Sequence, residues 1–178
     1  MLDYYQLSQL AKDKEQEIRN ISEQAHKFFN SLKNSIQEKL NIPRNPKNVH
    51  ESKLQFYDSE HENQTPHAES ALIYSPEQRG YYIKMIFDLE PNQNDEINIY
   101  PGPRIAMGFY LSYKSKKTGN VFSCKIEGAE SGTETEYPSK GDWDFNRLIE
   151  LISTHLKETL ENYYEINRLS GEKRKIGF

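Results

Sequence analysis

Apolar residues recur at Tyr4, Leu7, Ala11, Ile18, Ile21, Ala25, Phe28 and Leu32, alternating three and four positions apart, with Lys14 as the one interruption. Ile36 and Leu40 carry the same face onward. This period predicts one long helix over residues 2–40. Six acids and six bases fill its other face. Pro43 and Pro46 cannot continue a helix and mark its end. At 1.5 Å per residue it would run about 55 Å, longer than a domain of this size is wide. Two outcomes follow. The helix breaks, near Asn20 or Asn30, or one half projects, and a projecting stripe would seek another helix. The plainest reading of the stripe is that it packs on the protein's own sheet. Residues 41–68 carry little periodic signal beyond a short strand at 53–57.

The middle of the chain reads as β. Residues 69–75 form a strand. Residues 79–90 alternate, with Tyr81, Ile83, Met85 and Phe87 on one face and Tyr82, Lys84, Ile86 and Asp88 on the other. Residues 96–100 give a shorter strand, stopped by Pro101 and Pro103. Residues 104–115 alternate again, with Ile105, Met107, Phe109, Leu111 and Tyr113 together. Gly119 and Asn120 supply the positive φ of a tight hairpin turn. Residues 121–128 return with Phe122, Cys124 and Ile126 inward. Strands joined by such short turns are antiparallel, and one-sided alternation means one covered face and one wetter face.

The rest is helix again, over 142–169. Asp142 is the expected cap, and Asp144 suits the positive end of the helix dipole. Phe145, Leu148, Ile149, Ile152, Leu156, Leu160 and Tyr163 form the stripe that covers the sheet. Gly171 is the expected stop, with 170–178 as a tail. The fold class is therefore α+β: one domain over 1–178, an antiparallel meander of about five strands over 53–128, packed on one face by long N- and C-terminal helices.

Composition narrows the classes of function. With 35% hydrophobic residues, 12 Tyr and 8 Phe in 178 residues, the chain can build a core and is not a disordered composition. A single cysteine excludes an internal disulfide framework and makes a reducing cytoplasm the expected setting. No stretch has the pattern of a signal peptide or the length of an apolar membrane span. The net charge of −4 argues against a dedicated nucleic-acid binder. Charge is nonetheless segregated. Residues 101–126 hold five bases and no acid, and residues 127–150 hold seven acids and two bases.

Three constellations carry candidate chemistry. His61 and His67 lie six residues apart with Glu69 close by; these are metal-ligand types, but the spacing matches no established metal motif. These residues, or Asp88 and Glu90, which share a strand face, define the alternative of a divergent metal-dependent hydrolase or nuclease. Arg104, Lys114, Lys116, Lys117 and Lys125, with Tyr110 and Tyr113 interleaved, define a second alternative, nucleic-acid binding through a basic hairpin, which is possible but not favoured. The acidic segment 127–142 holds Glu130, Glu134 and Glu136 around Tyr137, a set suited to a basic partner surface with an aromatic anchor. Its bland reading is a solvated loop. Cys124 alternates with core residues and reads as buried rather than nucleophilic. No catalytic set and no cofactor motif is present. The favoured reading is a non-enzymatic cytoplasmic protein-binding or regulatory protein, self-associating through its N-terminal helix or holding a protein partner.

Overall fold

The computed structural model describes residues 3–43, 52–76, 79–89, 103–130 and 132–175, with side chains as far as residue 165. Helix α1 spans Tyr4–Lys39 without a break, so both Asn20 and Asn30 lie inside it. Its start is a capping box. Gln6 N–H donates to Asp3 Oδ1 at 2.9 Å, and Asp3 N–H donates to Gln6 Oε1 at 3.1 Å. Its end comes before the prolines. Asn41 adopts φ 51°, its N–H reaches the Glu38 carbonyl, and Ile42 N–H reaches the Gln37 carbonyl. This is a Schellman closure with asparagine in the left-handed position.

Seven strands follow: β1 Leu54–Asp58, β2 Asn63–Thr65, β3 Ile73–Ser75, β4 Gly80–Asp88, β5 Arg104–Lys116, β6 Gly119–Ile126 and β7 Thr135–Pro138. They form one antiparallel sheet in the order β2-β1-β4-β5-β6-β7, with β3 on the same edge of β4 as β1. Helix α2, Asn146–Lys175, completes the α+β architecture. The strand count exceeds the expected five because β2 and β7 were unreadable: each is only three or four residues long. β7 lies inside the segment expected to be a loop. Of residues 69–75 only the last three pair as a strand; Ala68–Ser70 is a single 3₁₀ turn. The strand expected at 96–100 lies outside the described residues. α2 starts at Asn146, where Asp144 rather than Asp142 accepts the first amide, at 3.0 Å. The helix also runs through Gly171 instead of stopping there.

The alternation in β4, β5 and β6 sorts faces as expected. Ile83, Met85, Met107, Phe109, Leu111, Phe122 and Cys124 are all buried under the helices. The burial of Cys124 pushes its thiol pKa up, away from reactivity. Phe28 of α1 is the hub of this core. Phe29, Phe122, Tyr137, Trp143 and Phe145 surround it edge-on, with ring centroids 5.1–5.7 Å away.

The two helices overrun opposite ends of the sheet. Residues 13–24 of α1 lie beside Tyr113 and Asn120, at the turn end of the β5–β6 hairpin. Residues 153–164 of α2 lie beside Leu89, past the other end of β4. Among the described residues, no helix is long and apolar enough to cross a membrane.

Candidate functional site

The acidic segment and the basic hairpin meet each other. β7 pairs with β6 so that Ser123 faces Glu136 and Phe122 faces Tyr137. On the outer face, Glu134 accepts from Ser123 Oγ at 2.9 Å and lies 3.6 Å from Lys114 Nζ. The Ser123 bond, with Lys114 and Lys125 nearby, holds the Glu134 carboxyl below the usual carboxylate range. Glu136 pairs with Lys116. Arg104 pairs with Asp88 at 3.4 Å. Of the hairpin bases, Lys117 sits exposed at the turn. Exposed pairs of this kind are each worth well under about 1 kcal/mol. The Glu134 and Glu136 pairs tie down the edge strand β7, and with the Arg104–Asp88 pair they use up much of the charge that made both segments look like docking surfaces.

Tyr137 is not an exposed anchor. It is 6% exposed, wedged between Phe28 and Phe145 in the core. Burial raises its phenol pKa to about 12. Glu130 lies in the turn before β7, where its carbonyl accepts from Thr133 Oγ1 at 2.8 Å.

The histidine-rich stretch does not converge either. Asp58 Oδ1 accepts the amides of Glu60 and His61, and its Oδ2 lies 2.8 Å from His61 Nδ1. That is an Asx turn closing the β1–β2 hairpin. The Asp58 contact raises the His61 pKa and lowers that of Asp58. Glu69 is turned the other way, accepting from Asn30 of α1 at 3.1 Å. His67 precedes the 3₁₀ turn, with its amide over Thr65 Oγ1 at 3.5 Å. Among the described residues, no three His, Cys, Asp or Glu side chains gather as a metal site would require. Asp88 is engaged by Arg104, and Glu90 lies outside the described residues.

One cluster escaped the sequence reading. Tyr82 and Tyr110, opposite one another on β4 and β5, donate to the two oxygens of Glu127, at 2.9 and 3.2 Å. The carboxylate lies flat over Gly108, where any Cβ would collide with it. The cluster pins the turn after β6 to the outer face. The alternation put both tyrosines outward, but only the register brings Glu127 between them.

The feature left without a use inside the fold is the first half of α1. Ala25, Phe28, Phe29, Leu32 and Ile36 are fully buried on the sheet. Leu7, Leu10, Ala11, Lys14 and Ile18 each precede one of them by 18 positions, which is five full turns of 3.6 residues. The second set therefore lies on the same helix face, and it is exposed. Ile18 is 62% exposed, Tyr4 77% and Tyr5 82%. Geometry explains the overhang. A 36-residue helix runs about 54 Å, whereas the two longest strands cover about 30 Å for the nine residues of β4 and about 43 Å for the 13 of β5. Local bonds keep the overhang helical: Gln9 to Asp13, Lys14 to Glu17, Arg19 to Glu15 and Gln16 to Asn20.

Where the overhang leaves the sheet there is a groove of about 340 Å³. Ile21, Tyr113 and Phe122 line it on the apolar side, and Asp13 and Glu17 face Lys140 across it. The acids bond along their own helix, to Gln9 and Lys14, rather than across the groove. No protein-family model matches this chain, and no curated protein or solved structure is significantly similar to it.

Proposed function

We propose that this chain is a non-enzymatic, cytoplasmic protein-binding or regulatory protein, and that its binding element is the overhanging face of α1. One observation carries the reading: a single helical face is core over its second half and open to water over its first. Burying one Leu or Ile side chain is worth roughly 1.5–3 kcal/mol. A face with Tyr4, Leu7, Leu10 and Ile18 in the open thus gains much from a partner and nothing from solvent. The partner is a helix or apolar groove, self or other, that accepts this stripe. The single buried cysteine supports a reducing compartment.

The double variant Leu7→Asp/Ile18→Asp tests it. Size-exclusion profiles of native extracts should show the wild type in a complex, homomeric or mixed, and the variant at the monomer position, with a melting curve that matches the wild type's in dilute solution. A variant that keeps every associate of the wild type would overturn the reading.

A further inference from the structure

We propose that the occupant of the overhang is a second copy of this chain, its α1 running antiparallel to the first and its N-terminal tyrosines seated in the groove at the hairpin end. This rests on the reading of α1 as the binding element.

Sterics select the direction. From Ala25 onward each helix carries its own sheet on the very face that the overhang exposes. Two overhangs packed face to face in parallel would drive both sheets into the same space. Packed antiparallel, the two sheets lie at opposite ends of the helix pair. The helix dipoles then also lie antiparallel, the favourable side-by-side arrangement.

The stripe selects the register. Written as a heptad, Tyr4, Ala11 and Ile18 occupy one core position and Leu7, Lys14 and Ile21 the other. Antiparallel pairs match one kind with the other. Tyr4 then meets the partner's Ile21, Leu7 meets the partner's Ile18, and Ala11 meets the stem of the partner's Lys14. The small Ala11 sits near the two-fold axis, where the backbones approach most closely.

The groove fits the same register independently. Ile21 is one of its lining residues, so the partner's Tyr4 and Tyr5 arrive level with it, against Tyr113. Lys140 lines the groove, is exposed and has no ion pair among the described residues. The partner's Asp3, which uses one carboxylate oxygen to cap its own helix, brings a negative charge to it. Each groove is thus completed by residues of the other copy.

The test uses full-length chains carrying Leu7→Cys or Ile18→Cys. Cys124 is buried and stays silent. Under mild oxidation, a mixture of the two variants should give a covalent dimer on a non-reducing gel, and either variant alone should not. Wild type should sediment at twice the chain mass, and Lys140→Glu should weaken that association several-fold. Cross-linking of either variant by itself, equal to that of the mixture, would overturn the proposal by showing parallel or random contact. So would wild type at the monomer mass throughout. If that monomer still loses a different associate in Leu7→Asp/Ile18→Asp, the second-copy proposal falls and the binding role of α1 stands.

Discussion

The two halves of α1 are alike in sequence and opposite in circumstance. Residues 4–20 and 21–39 share one apolar face, one charge pattern and one continuous backbone. In the second half the face is core, and Phe28 alone touches five aromatic rings. In the first half the same face meets water. Periodicity therefore says which face of a helix is apolar, and the extent of the sheet beneath decides how much of it becomes core. An apolar stripe longer than its own sheet leaves part of that face in water.

The comparison breaks most visibly if the halves prove energetically equal. Phe28→Ala should cost about 3–5 kcal/mol in urea unfolding, from lost burial plus a cavity. Leu7→Ala, measured in dilute solution, should stay within about 0.5 kcal/mol of wild type. The asparagines inside the helix make a gentler pair. Asn30 bonds Glu69 and accepts the amide of buried Ala68 at 3.0 Å, so Asn30→Ala leaves that amide unpaired and should cost about 1–3 kcal/mol. Among the described residues Asn20 accepts only from Gln16, on the exposed half, and Asn20→Ala should change unfolding by less than about 0.5 kcal/mol.

A pH series sharpens the contrast further. Lys33, buried in the packed half, donates to the Pro66 carbonyl at 2.7 Å and lies over the Phe56 ring. Burial lowers its pKa from 10.5 to about 8. Between those two values the unfolded chain holds a proton there that the folded chain has lost. Stability from this group therefore rises with pH across that window, and its burial penalty is felt in full only below about pH 8. Wild type should gain on the order of 1 kcal/mol relative to Lys33→Met between the two values, after allowance for partial solvent screening, by melting at each pH. No lysine of the exposed half should behave this way. The most local effect is at the start of the overhang. Asp3→Ala removes the capping box and should fray the first turn by about 0.5–1 kcal/mol in amide exchange, with global unfolding unchanged.

Much of the fold was legible because its main elements are long. The stripe of α1 and the alternation of β4, β5 and β6 each repeat enough times to fix a face. β2 and β7 are too short for a period, and Pro138 speaks against a strand except at an edge. The first helix ends where expected, though by a device the sequence hides: prolines are visible, whereas Asn41 acts through a left-handed φ that asparagine only permits; the stop expected at Gly171 was overrun. The charged segments misled more deeply. Lys114 and Lys116 are twenty residues from Glu134 and Glu136, and only the β5–β6–β7 register reveals that they answer one another. Tyr137 looked like an anchor because its neighbours are acidic, yet alternation along β7 turns it into the core and the glutamates out. The overhang was half legible. A helix of this length implied either a break or a projection, and the choice lay in the dimensions of the sheet.

Amide hydrogen exchange along α1, taken at several protein concentrations, tests the central claim most directly. Residues 25–36 should be protected to the same degree throughout, because their partner is the chain's own sheet. Residues 4–20 should exchange fast, as a fraying helix, when dilute, and become protected as copies associate. Protection of residues 4–20 that is already full at the lowest concentration, or absent at the highest, would contradict the account.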